Sequence, residues 1–129
     1  MEILCDNFAE KLNFMVESVK TADFVCIDSE FSGLNVGFED QQNGFDELED
    51  RYQKLRHNCK RMNAFQFGVC TFKWDQEQNT YVSRPFNVYT WPHSEILGSS
   101  TMQFKASNIA FLTKHKFDFN KLFTMGVNY

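Results

Sequence analysis

The chain has 129 residues, enough for one domain with a modest core. Hydrophobic residues make up 43% and aromatics 16%, with 15 Phe, which is globular composition and points to a core of large rings. The net charge of −4 does not advertise a nucleic-acid binder, so any phosphate-binding surface must be local, and no run approaches the roughly 20 apolar residues of a membrane helix.

Charged Glu2 and Asp6 interrupt any apolar start, so no signal peptide is expected. Residues 7–20 read as a helix. Asn7 can act as its N-cap, and Glu10 three residues later completes a capping-box pattern. Phe8, Leu12, Met15, Val16 and Val19 recur at helical spacing and predict one apolar face that covers a sheet.

The next stretch, Phe24 to Leu34, is apolar and broken by two acids one residue apart. A strand repeats every two residues, so Asp28 and Glu30 project from the same side. Flanking Phe24, Val25, Ile27 and Phe31 place this strand in a core, where charges are rarely tolerated unless paired or bound to metal. Two such carboxylates make half of a magnesium site, completed by water and substrate phosphates. The competing reading is an edge strand with two solvated acids.

Residues 35–46 are polar, hold two glycines and read as a loop, either lining a groove or simply solvated. Residues 46–60 look helical, with Leu48, Tyr52 and Leu55 on one face and Glu47–Arg51 and Asp50–Lys54 as i, i+4 pairs. Glu39, Asp40, Asp46, Glu47, Glu49 and Asp50 precede Arg51, Lys54, Arg56, Lys60 and Arg61. That order suits the helix dipole, and a local basic patch for phosphates is the functional alternative. His57 and Cys59 lack two further ligands at zinc spacing, and His93 and His115 are likewise lone, so surface or core histidine is expected for each. The four cysteines, Cys5, Cys26, Cys59 and Cys70, form no C-x-x-C pair; Cys26 and Cys70 read as small buried hydrophobes, and no disulfides are expected.

Residues 63–74 alternate as a second strand, and Asp75 to Asn79 reads as a hairpin loop. Residues 80–91 give a third strand, where Pro85 argues for an edge position or a bulge and Pro92 ends it. Segment 93–106 is polar and reads as a loop. Residues 107–115 form a short helix capped by Ser107 or Asn108, with Ile109 and Leu112 buried and Phe111 a further candidate, and 118–125 a second one capped by Asp118, with Phe119, Leu122 and Phe123 inside. Taken alone, this order of elements shows an α+β chain.

Asp28-Ser29-Glu30-Phe31-Ser32-Gly33 resembles the first motif of the DEDD 3′–5′ exonucleases, and more narrowly the poly(A)-specific ribonuclease family of deadenylases. Asn43 to Asp46, Arg51 to Leu55, Phe65 to Lys73, Phe117 to Lys121 and Gly126 to Tyr129 resemble segments of the same family, in order and at similar spacing. The resemblance implies an α/β, partial ribonuclease-H-like fold over residues 1–129: an N-terminal helix, a three-stranded antiparallel meander and short helices. It implies Mg2+ as cofactor, with Asp28 ligating two ions and Glu30 one of them. It also implies RNA contacts at Phe31, Leu34, Ile109 and Phe111, although core packing accounts for those four equally. Two further Asp of the family, and the His or Tyr beside the last, have no counterpart here. The chain thus carries two of four catalytic carboxylates. The expected function is a Mg2+-dependent 3′–5′ exoribonuclease acting on poly(A) or small-RNA 3′ ends, with this chain as its N-terminal part. The alternative is a non-catalytic truncated isoform or fragment that binds RNA or a full-length partner. An intracellular protein of nucleus or cytoplasm is expected, away from membranes and with homodimerisation as in the family.

Overall fold

The structure, a computed structural model, describes residues 1–33, 37, 41–92 and 102–129. Its elements run β1 (Glu2–Ile3), α1 (Phe8–Lys20), β2 (Phe24–Phe31), α2 (Leu48–Arg61), β3 (Ala64–Asp75), β4 (Thr80–Trp91), α3 (Ala106–Lys114), α4 (Phe119–Met125) and β5 (Val127–Asn128). The sheet order is β1-β4-β3-β2, with β5 also on β4. β2, β3 and β4 form the expected antiparallel meander, while β1 and β5 lie parallel to β4. Those two strands have two residues each, too few for any periodicity to show in the sequence.

β3 and β4 are joined where Asp75 faces Thr80. The Asp75 carboxylate accepts the backbone N–H groups of Glu77 and Gln78 at 2.9 and 3.1 Å, and Asn79 takes the left-handed turn position at φ 51°. Pro85 neither breaks nor bulges β4; it pairs with Cys70. Its carbonyl accepts from the Met1 amino group at 2.8 Å, so its missing N–H faces the side of β4 that β1 has not yet reached.

Alternation along β4 sends Phe86 and Val88 to one face and Tyr89 to the other. On the first face Ile3, Phe86 and Val88 pack with Phe8 and Met15 of α1. On the second Leu4, Phe65, Tyr89, Leu112 and Leu122 form a cluster closed by α3 and α4. Fully burying each of Ile3, Phe65 and Leu122 stabilises the fold by about 1.5–3 kcal/mol. The inner stripe of α1 is Phe8, Leu12, Met15 and Ser18, whereas Val16 and Val19 are exposed. Asn7 does not cap α1. Its side-chain oxygen turns back to accept the Leu4 N–H at 3.0 Å.

The N-terminus of α2 is closed by the Asp50 carboxylate, which accepts the Glu47 N–H at 3.1 Å. Lys54, expected to pair with Asp50, instead meets Asp46 at 2.7 Å and the Gln41 carbonyl at 3.1 Å. Its apolar stripe of Leu48, Tyr52 and Leu55 is exposed rather than buried. Neither Ser107 nor Asn108 caps α3; Lys105 holds that position, and its carbonyl accepts from Asn108 and Ile109. Asp118 does cap α4, accepting the Lys121 N–H at 2.9 Å.

The expectation that the acidic strand lies in a core is overturned. β2 is an edge of the sheet, with β3 its one hydrogen-bonded neighbour among the described residues. Ile27 is 72% exposed, and Cys26, expected to be buried, is exposed too, while Cys70 is half-buried. All four cysteines are free thiols. An apolar run signals a strand with apolar neighbours to meet, but does not say which neighbours the chain supplies.

Candidate functional site

Asp28 faces Gly68 and Glu30 faces Gln66, so the two acids occupy alternate positions on one face of β2. Asp28 is exposed and Glu30 half-buried. A side chain at position 68 would meet Asp28 at van der Waals distance, and glycine there leaves that carboxylate clear on its β3 side. Partial burial pushes the Glu30 carboxyl up, Asp28 adds to the rise by repulsion, and His115 opposes it. Two neighbouring oxygen-donor acids on one face are a chemically fitting pair for a hard divalent cation. Among the described residues no group of three or more His, Cys, Asp or Glu is gathered for a metal.

β2 ends in a device that locates the rest of the site. Between Glu30 and Phe31 the register shifts: Glu30 faces Gln66 and Phe31 faces Ala64, leaving Phe65 as an extra residue on β3. Buried Ser32 then ties three segments together. Its N–H donates to the Asn63 carbonyl at 2.9 Å, its hydroxyl accepts the Asn63 N–H at 3.1 Å, and its carbonyl accepts the Lys105 N–H at 3.0 Å. Lys105 begins α3, so this anchor sets α3 beside the acidic strand.

The result is a cleft of about 400 Å3. Glu30, Gln66, Asn87 and Tyr89 line it from the sheet, and Phe111, Leu112, His115, Lys116 and Phe117 from α3 and the turn after it. The Gln66 side-chain amide donates to the Asn87 side-chain oxygen. Burial pushes the Tyr89 phenol up, keeping it neutral. Phe111 stacks at a tilt on His115, centroids 4.4 Å apart.

Of the residues proposed from sequence for RNA, Phe111 lines the cleft and is 55% exposed, against the core-packing alternative. Ile109 and Phe31 are half-buried and are not among the described residues lining it. Leu34 lies outside the described residues, as do His93, Glu39, Asp40 and most of the loop around residue 97. Sequence reasoning missed Gln66, Asn87, Tyr89 and Lys116, and took His115 for an isolated surface or core residue. The one local signal was Asn87, a polar amide set between the apolar Phe86 and Val88 of β4.

Helix α3 closes with the Lys116 N–H donating to the Thr113 carbonyl and the Phe117 N–H to the Leu112 carbonyl, both at 3.0 Å. This reversed pair of bonds puts Lys116 in the left-handed region at φ 62°, a position that favours glycine. Phe117 closes the turn beside Leu112, as such turns prefer.

Comparison with known proteins accords with this geometry. Residues 3–129 match the CAF1 family ribonuclease. The chain is 42% identical over 133 residues to the poly(A)-specific ribonuclease PARN of Danio rerio and 41% identical to that of Homo sapiens. It is 30% identical over 131 residues to the pre-piRNA 3′-exonuclease trimmer of Bombyx mori. Each alignment covers 100% of this chain but 20%, 21% and 24% of those relatives, so the chain spans about a fifth of their length. Among solved structures, S. pombe Pop2p in its Mg2+- and Mn2+-bound form superposes with a TM-score of 0.69 at 19% identity, covering 98% of this chain and 47% of that one. CAF1 co-crystallised with the yeast NOT1 MIF4G domain gives 0.60 at 16% identity, covering 98% and 42%. These likenesses bear out the ribonuclease-H-like fold and the poly(A)-specific ribonuclease resemblance. By the extent of its match, this chain belongs to the CAF1 ribonuclease family.

Proposed function

We propose that this chain is the metal-binding front part of a Mg2+-dependent 3′–5′ exoribonuclease acting on poly(A) tails or small-RNA 3′ ends. The carrying observation is the pair Asp28 and Glu30, set at alternate positions of one strand beside a cleft with an aromatic and a cationic wall. In this reading Asp28 and Glu30 would be the residues that hold the divalent ions, Asp28 serving both and Glu30 one. A bound divalent ion supplies an activated water and stabilises the departing oxygen of the phosphodiester. The chain's own residues do the rest of the positioning. Phe31 and Leu34 flank the 3′-terminal nucleotide, Ile109 and Phe111 make further RNA contacts, and stacking of a base on an aromatic contributes about 1–3 kcal/mol. Leu112 and Phe117 make the inner end of the cleft apolar and limit water there. The Gln66–Asn87 pair holds polar atoms in place at the sheet side. Two further acids from outside this chain complete the set. The same reading takes RNA as partner, a nuclear or cytoplasmic setting, and a homodimer, for which the exposed Leu48, Tyr52 and Leu55 offer apolar area.

A second reading is favoured by the absence of a third ligand among the described residues. It is a non-catalytic truncated isoform or fragment that binds RNA or a full-length partner.

Two measurements separate them. Mn2+ titration should broaden the amide NMR signals around Asp28 and Glu30, and Asp28→Asn should abolish the effect; no broadening would overturn the metal assignment. Oligo(A) RNA with a free 3′-hydroxyl should then be shortened in Mg2+ by the full-length product that carries these residues, with the rate lost in Asp28→Asn. Binding without shortening, indifferent to Asp28→Asn, favours the second reading.

A further inference from the structure

We propose that His115 and Lys116, on the turn that ends α3, form the phosphate-binding wall of the cleft and hold the RNA backbone opposite Glu30. The inference rests on the nuclease reading and adds to it the group that receives the polyanion.

The need for such a group follows from charge. In a chain of net charge −4, a divalent ion at Asp28 and Glu30 would be taken up by those carboxylates and the phosphate at the 3′ end, so the rest of the RNA backbone needs a cation from the protein. Cleft residues Gln66, Asn87, Tyr89, Leu112 and Phe117 are neutral. Among the described residues lining the cleft, Lys116 is the one permanent cation, with His115 beside it. They line the cleft together with Glu30, so an RNA phosphate lying in it meets a cation on the α3 side. Binding a backbone phosphate takes a local cation of this kind, since phosphate contacts supply most of the affinity for a nucleic acid.

The backbone makes a second, independent argument. Lys116 adopts φ 62°, where a residue with a Cβ is strained and glycine is at ease. Both reversed hydrogen bonds of the turn use main-chain atoms only, so glycine would make them equally well. Lys116 in that conformation lines the cleft. Neutralising the helix C-terminus does not require it, because Lys114 already sits in the last turn of α3. His115 is held by its ring contact with Phe111 at 4.4 Å, so base-stacking surface and phosphate wall lie side by side on one turn.

The test is equilibrium binding of short 5′-labelled oligo(A) RNA to the chain across a series of salt concentrations, alongside thermal melts. Lys116→Gly should raise Tm by about 2–4 °C by releasing the strained backbone. The same variant should weaken binding roughly threefold to tenfold and flatten the slope of log Kd against log salt by about 0.7. Lys116→Asn, which tolerates the left-handed turn without the charge, should weaken binding likewise, and Lys116→Arg should restore it. Unchanged affinity and slope in the glycine and asparagine variants would overturn this inference alone. A wild-type chain that binds no RNA at all would overturn it together with the nuclease reading.

Discussion

Asp46 and Lys54 show how one charged contact can redirect a local expectation. The Lys54 ammonium donates to Asp46 at 2.7 Å, and that bond, helped by the Asn43 N–H, holds the Asp46 carboxyl below its ordinary 3.8. A carboxyl lowered in the folded state contributes stability that is fully present above pH 3.8 and is lost as pH falls through the folded value. Carbon-detected NMR titration should therefore place the Asp46 midpoint below 3.8 in the wild type and raise it toward that value in Lys54→Met, where the Asn43 bond remains. An unshifted midpoint in the variant would mean that the backbone bond alone lowers Asp46. At the same scale, Ser32 uses its N–H, hydroxyl and carbonyl in three bonds to two segments, and this is what joins Glu30 to the helix bearing Phe111. Neither arrangement follows from spacing along the chain: Lys54 had several acids in reach, and a serine before a glycine reads as an ordinary turn.

Among the elements, β5 and α4 are joined at Gly126, which lies against β4. A Cβ there would stand 2.7 Å from both the Leu122 carbonyl oxygen and the Trp91 Cβ. Both are parts of the fold that cannot swing aside as a flexible side chain can. Gly126→Ala should cost about 1–3 kcal/mol in urea unfolding, as overpacked interiors do. A loss under about 0.5 kcal/mol, the usual size for a surface change, would show that β5 separates from β4 readily. β2 makes the opposite point. Its sequence is that of an inner strand, yet one edge and Ile27 are open to solvent. Open, apolar strand edges are sites of association, so this edge is the element most in need of a covering neighbour.

At the scale of the whole molecule, the sheet separates two apolar clusters, and the cleft opens on the side of α3 and α4. Phe65 is central to that side: it is 0% exposed, lies at the register shift, and contacts Trp91 and Phe104 through its ring. Phe65→Ala should destabilise the chain by about 3–5 kcal/mol, measured by denaturant unfolding. Because the cavity would open beneath α3, RNA binding should weaken at temperatures where the variant is still folded; affinity equal to wild type would show that Ser32 alone locates the helix. The antiparallel meander was implied by the family resemblance; by itself the sequence determined the three long strands, the four helices of the described residues, the Asp118 cap and the pairing of Asp28 with Glu30 on one face. Each of those depends on periodicity or on neighbours within a few residues, and such signals are local. Only the tertiary structure decided that β2 is an edge, that Phe111 faces a cleft while Ile109 does not line it, and that His115 and Lys116 stand opposite Glu30. These outcomes depend on which strand pairs with which and on where a turn aims a helix. That residues 30 and 115 line one cleft leaves no periodic trace in the chain that connects them.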